Sequence, residues 1–185
     1  VLTNAQFAKL SHLEKSAPIS LLFPTSEVAS GLQTALDRIC KEAASAIRSG
    51  KEYLILSDRG VDQDQVPIPA LLAMSAVHQF LIKEGLRMNA SLLLETGEAR
   101  ELHHFAVLAG YGAEAINPYL AFDTIKSMVS EVNFYDAQKN YIKASNKALL
   151  KIMSKMGIST FKSYCGAQIF DCLLYTSDAA DEITG

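Results

Sequence analysis

Short apolar runs alternate along most of this chain with longer segments of helical spacing, and that change of period is what its sequence shows first. Leu92-Leu93-Leu94 is a continuous apolar run, as a strand buried on both faces requires, and it stops at the polar turn Glu95-Thr96-Gly97. Leu102, Phe105, Ala106 and Ala109 then recur at three- and four-residue spacing, which predicts a helix with Glu98 in its first turn and Gly110 at its end. Ala113 to Ile116 reads as another short strand, stopped by Asn117-Pro118. The order is strand, helix, strand.

The same grammar extends in both directions. Tyr53 to Leu56 is a buried strand followed by the charged turn Ser57-Asp58-Arg59-Gly60 and a polar loop to Pro67. Pro69 is placed as the first residue of a helix that carries Leu71, Leu72, Met74, Val77, Phe80 and Leu81 and stops at Gly85. Upstream, Ile19 to Phe23 predicts a strand, and Thr25 or Ser26 a cap for a long helix ending at Gly50. Four strand-to-helix steps therefore fit between Ile19 and Val129. Beyond them, Ser130 to Asn140 reads as a polar loop, and Tyr141 to Met156 as an amphipathic helix closed by Gly157.

Parallel strands joined by helices place all strand C-terminal ends on one edge, where α/β proteins bind ligands. Asp58, Arg59, Glu95, Thr96, Asn117 and Tyr119 are the candidate residues of that edge. Four such units are half of an eight-fold barrel; an open, doubly wound sheet satisfies the pattern equally.

Composition narrows the class without choosing a function. With 185 residues, 49% hydrophobic and 20% charged, the chain can bury a core of its own, and a net charge of -3 gives no general attraction to nucleic acid or anionic membrane. No apolar run reaches bilayer length.

Each chemically tempting residue has an ordinary reading beside it. His103 and His104 are adjacent on a helix and point about 100° apart, so they cannot chelate one metal as an i, i+4 pair would. Cys40, Cys165 and Cys172 lack CxxC spacing and read as free thiols of a reducing compartment. Gly110-Tyr111-Gly112 follows a helix rather than a strand, the wrong setting for a dinucleotide loop. Ser57 and Ser75 have no histidine placed as in a nucleophile elbow. Lys143, Lys147, Lys151 and Lys155 align on one helix face, either as a solvated stripe or as a docking face for an acidic partner. Asp58, Arg59, Glu95 and Glu98 could form an acid/base set, but ion pairing and charge compensation at helix starts explain them more simply.

Several long segments carry a family resemblance. SDRGVDQDQVPIPALLAMSAVHQFLIKEGLR (Ser57 to Arg87), ETGEARELHHFAVLAGYGAEAINPYLAFDTI (Glu95 to Ile125), NYIKASNKALLKIMSKMGIST (Asn140 to Thr160) and SYCGAQIF (Ser163 to Phe170) resemble, in register, the central domain of the glutamate synthase large subunit. The resemblance covers Val1 to Asp171. It implies an α/β fold of parallel βα units, part of a TIM-barrel-like central domain. The parent enzymes of that family make glutamate from glutamine and 2-oxoglutarate with a reduced electron donor. Their amidotransferase domain and its N-terminal cysteine would lie upstream, and the FMN-binding domain and iron–sulfur centre downstream. No catalytic, cofactor or metal residue is thereby expected here. The implied partners are those two domains of the same chain, together with a small electron-transfer subunit or ferredoxin. The implied compartment is cytoplasmic, or a plastid in a eukaryote.

The chain departs from the family at two places. Cys165 stands in Tyr164-Cys165-Gly166-Ala167-Gln168 where the family motif carries arginine, replacing a bidentate guanidinium by a small thiol. From Cys172 onward the resemblance stops, and CLLYTSDAAD reads as a translated adapter sequence, so Cys172 to Gly185 is expected to be a non-native tail. Two functions remain in view: a connecting domain that holds a glutaminase and a synthase site in register and walls part of the ammonia route, or a self-contained half-barrel module binding a small anionic ligand at the strand ends.

Overall fold

A computed structural model describes residues 1–27, 31–167 and 169–170. The chain runs through α1 (Asn4–Ser11), β1 (Ser16–Ser20), β2 (Leu22–Pro24), α2 (Gly31–Arg48), β3 (Tyr53–Ser57), β4 (Gln65–Pro67) and α3 (Ala70–Lys83). It continues through β5 (Ser91–Glu95), α4 (Leu102–Gly110), β6 (Ala115–Asn117), α5 (Tyr119–Met128), α6 (Glu131–Lys155) and α7 (Phe161–Tyr164).

β1, β3, β5 and β6 form one parallel sheet in that order, with Ile19, Leu56 and Leu94 aligned across three strands and Leu94 opposite Ile116. Parallel pairing in register gives the sheet two distinct faces, because alternate side chains point opposite ways. Ile19, Leu54, Leu56, Leu92, Leu94 and Ile116 face one way and join the main core with residues of α2, α3 and α4. Ile55 and Leu93 face the other way, against Phe7 of α1. The crossover helices that enter this core therefore share a single face. A doubly wound sheet would divide them between two faces, so the arrangement is that of a partial barrel.

Both sheet edges carry features that disfavour further pairing. The odd-numbered residues of β1 bond to β3, as Tyr53 N to Lys15 O and Leu21 N to Ser57 O show, so Pro18 sits where β1 would present a donor outward and has none. On the opposite edge, Leu2 N donates to Ile116 O at 2.9 Å, and Asn117 Nδ2 donates to Leu2 O at 3.1 Å. The N-terminal segment thus occupies the free side of β6 before turning into α1, whose first turn is held by a reciprocal Thr3–Gln6 capping box.

Several predicted boundaries move for identifiable reasons. The first paired strand is Ser16–Ser20 rather than Ile19 to Phe23, because the chain turns after Ser20 and Leu22–Pro24 leaves the sheet to pair antiparallel with Gln65–Pro67 inside the expected polar loop. Thr25 caps no helix; it lies in a 3-10 turn, and its hydroxyl donates to Gln63 O at 3.0 Å. Pro69 is the N-cap of α3 rather than its first residue. Glu98 precedes α4 instead of lying in its first turn, which begins at Leu102. The last strand of the sheet is Ala115–Asn117, and Asn117 belongs to it.

The largest correction is the expected loop from Ser130 to Asn140, nearly all of which lies in α6. No glycine or proline interrupts Val129 to Met156, so the helix reads through its polar first half. Tyr141 fastens it: its ring meets Phe105 and Phe122 edge-on at 6.2 and 5.9 Å, and its hydroxyl donates to Arg100 O at 2.9 Å. Lys143, Lys147, Lys151 and Lys155 are all exposed on this helix. The tail from Cys172 to Gly185 lies outside the described residues.

Candidate functional site

The register that aligns the sheet core also aligns its polar ends. Ser20, Ser57, Glu95 and Asn117 are successive register partners, so they form one row across the strand C-terminal edge, on the face that α1 covers. Asp58 and Thr96, each one residue past its strand, point back toward the opposite layer and are buried, at 2% and 0% exposure.

A carboxylate that deep must be satisfied, and Asp58 is. It accepts from the Thr96 hydroxyl at 2.6 Å and from Gly97 N at 3.0 and 3.1 Å, which fastens the turn after β5 to the turn after β3. The Tyr119 hydroxyl faces the same carboxylate. Burial first, and then the Asp58 charge, push that phenol up to about 12. Thr96 in turn accepts from Glu98 N at 3.1 Å, and Glu98 accepts from Ala70 N at 3.1 Å, supplying α3 with the acidic partner its N-terminus needs.

Glu95 is held from two sides. Ser57 Oγ donates to Oε2 at 2.6 Å and Arg59 Nε to Oε1 at 2.5 Å. The Arg59 guanidinium lies over the Tyr119 ring, 4.0 Å from its centroid. Asn117 is fully buried; its Nδ2 donates to Leu2 O and to Asn4 Oδ1, while its Oδ1 has no hydrogen-bond partner among the described residues. The candidates Asp58, Arg59, Glu95, Thr96 and Tyr119 thus form one connected network, and Asn117 joins it through its backbone, where Thr96 N donates to Asn117 O at 3.0 Å.

Among the described residues of this edge, Gly97 N, Glu98 N and Ala70 N are each engaged by the chain's own side chains and offer nothing to a phosphate. The donor set does not fit an iron–sulfur centre either: the free cysteines among the described residues are Cys40, buried in α2, and Cys165, after α7. No group of three His, Cys, Asp or Glu among the described residues could hold a metal. Burial raises the Cys165 thiol to about 11, which keeps it protonated and unreactive at neutral pH. His104 is engaged locally, its Nδ1 accepting from Arg100 N and Glu101 N at 3.3 Å.

Sequence reasoning missed a second polar cluster, at the opposite end of the sheet. A cleft of about 660 Å³ opens there, lined by Tyr53, His78, Arg87, Ser91, Glu114 and Cys165. Arg87 staples it: Nε donates to His78 Nδ1 at 2.9 Å, Nη1 to Ala90 O at 2.9 Å, and Nη2 to Gly112 O and Glu114 Oε1 at 3.2 and 2.9 Å. The His78 ring fills the space between two left-handed turns, since a Cβ on Gly112 or Gly166 would come within 2.4 or 2.8 Å of it. The side-chain partners His78 and Glu114 lie 9 and 27 positions from Arg87, so no local motif announces the cluster.

Comparison with known proteins follows the same lines. The glutamate synthase central domain family model matches residues 1–174. The chain is 44% identical over 189 residues to the glutamate synthase (NADPH) large chain of Bacillus subtilis, covering 98% of this chain and 12% of that one. It is 40% identical to the glutamate synthase (NADH) of Schizosaccharomyces pombe, covering 94% of this chain and 9% of the relative. With ferredoxin-dependent glutamate synthase 1 of Arabidopsis thaliana, a chloroplastic and mitochondrial protein, the identity is 45% over 83% of this chain and 10% of the relative. The chain therefore spans about a tenth of the length of these relatives. No helix among the described residues is long and apolar enough to cross a membrane.

Two predictions follow from the polar clusters. Asp58→Asn would turn an amide NH2 toward donors, leaving buried groups unpaired; it should destabilise the chain by about 1–3 kcal/mol. In the same variant the Tyr119 phenol should titrate below its native value of about 12, read by near-ultraviolet absorbance against alkaline pH. An unmoved phenol would show that the Asp58–Tyr119 contact has no weight.

At the other cluster, burial first and then the Arg87 guanidinium hold His78 below its ordinary value of 6.5. A depressed histidine supports the fold while neutral, so its contribution is complete above the unfolded value and is lost as pH falls through the folded one. Wild type should therefore lose urea stability more steeply than His78→Gln as pH drops below 6.5. Parallel losses in the two proteins would mean that the imidazole is not held neutral.

Proposed function

Because this chain belongs to the glutamate synthase central domain family, we propose that it is the connecting domain of a glutamate synthase, placed between a glutaminase and an FMN-containing synthase domain of the same parent polypeptide. The observation that carries this reading is the closed polar network at the strand ends. Among the described residues, Asp58, Thr96, Gly97, Glu95 and Ser57 are engaged with one another rather than held out as an acid/base pair. An acyl-transfer or redox centre needs such groups unengaged and directed at a substrate.

A second consideration agrees. The segment is 44%, 40% and 45% identical to enzymes whose names specify NADPH, NADH and ferredoxin, so its role is one that does not depend on the electron donor. Holding two reacting sites at a fixed separation is such a role. The candidate interdomain edge is Asp58, Arg59, Glu95, Thr96, Asn117 and Tyr119. In the parent enzyme this stiff network would present that edge to a neighbouring domain and wall part of the route by which ammonia passes from glutaminase to synthase. FMN and an iron–sulfur centre would be carried elsewhere in the parent chain, and the compartment would be cytoplasmic, or a plastid in a eukaryote. The domain would end near Asp171, with Cys172 to Gly185 a non-native tail.

The purified chain should neither hydrolyse glutamine nor form glutamate from 2-oxoglutarate and a reductant, and it should leave the absorbance spectrum of added FMN unchanged. Turnover in either assay, or a tight flavin complex, would overturn the connecting-domain reading in favour of a self-contained module. Deleting Cys172 to Gly185 should leave the melting temperature within error. A fall of about 2–4 °C, equivalent to roughly 1 kcal/mol in a domain of this size, would make the tail part of the fold.

A further inference from the structure

Arg59 is unusual among the residues of the strand-end edge in being held firmly while staying accessible. Its side chain is 44% exposed, against 16% for its partner Glu95. The guanidinium is clamped through Nε by Glu95, which Ser57 fixes in turn, and its central carbon lies 4.0 Å from the centroid of the Tyr119 ring. Among the described residues, only one of the five guanidinium N–H groups is used. Nη1 and Nη2 make no hydrogen bond among the described residues, in contrast to Arg87, where both are engaged.

From this geometry we infer that Arg59 is a docking anchor that takes an Asp or Glu carboxylate from another domain of the parent chain, bidentately through Nη1 and Nη2. The inference rests on the connecting-domain reading. A planar fork with paired free donors matches a carboxylate, and a guanidinium already fixed by stacking and ion pairing loses little further side-chain entropy when its partner arrives. If Arg59 served only to neutralise Glu95, neither the stacking nor the two unengaged nitrogens would be needed. Its surroundings have the makeup of an interface centre: Val61 and Leu120, both near half exposure, are two residues from Arg59 and one from Tyr119. The occupant is available, since the matched segment is 12% of the length of the Bacillus subtilis relative, the rest of which lies outside it.

The test uses the full-length parent enzyme. In wild type, phenylglyoxal should modify Arg59 at least tenfold more slowly than it modifies N-acetylarginine amide, as followed by peptide mass spectrometry. In the Arg59→Lys variant, a carbodiimide should form a zero-length cross-link from position 59 to an Asp or Glu outside residues 1–171. Free reaction of Arg59 in wild type would overturn both the anchor and the edge as an interface, and it needs no variant. Protection in wild type with a cross-link only to Glu95, or with none, would overturn the carboxylate anchor and leave the connecting-domain reading standing.

Discussion

The in-register parallel pairing of Tyr53–Ser57 with Ser91–Glu95 is the constraint on which the rest of the chain depends. A slip of one residue by Ser91–Glu95 would send Leu92 and Leu94 to the face covered by α1 and bring Glu95 into the helix-packed core. The register is strongly specified because those leucines are fully buried, each contributing on the order of 1.5–3 kcal/mol relative to exposure. The same register sets Ser57 beside Glu95, and Asp58 where it can receive Thr96 and Gly97. The polar edge is thus a consequence of how the core packs.

The two ends of the sheet solve the same physical problem differently. At the strand C-terminal end, a buried carboxylate gathers neutral donors, and an exposed guanidinium is left with donors to offer. At the N-terminal end, the guanidinium of Arg87 lies inside and directs four of its five N–H groups to His78, Ala90, Gly112 and Glu114. The first arrangement presents chemistry outward, whereas the second locks α3, the turn before β6 and the turn after α7 together around one imidazole. This contrast, rather than residue type, separates a guanidinium with donors to spare from one that serves as a structural staple.

Periodicity in the sequence determined the strand–helix alternation, the parallel sheet it implies and the strand ends as the place where Asp58, Arg59, Glu95 and Thr96 would meet. Those features are local: a leucine run, an apolar stripe and a polar turn each declare themselves within a dozen residues. Long family-like segments likewise made the glutamate synthase relationship legible before any coordinates. A capping box at Thr3 and Gln6 and the unbroken stretch from Val129 to Met156 were also readable signals, and they mark α1 and the first half of α6. Only the tertiary structure decided which face the helices occupy, that Pro18 and Leu2 sit on the two sheet edges, and that Asp58 is a buried hub while Arg59 stays half exposed. Those outcomes depend on hydrogen bonds and contacts between residues some 38 or more positions apart, such as Asp58 with Thr96 and Leu2 with Asn117. Local sequence spacing carries no information about such pairs, because they are brought together by the packing of the leucine core and not by the turn in which each residue sits.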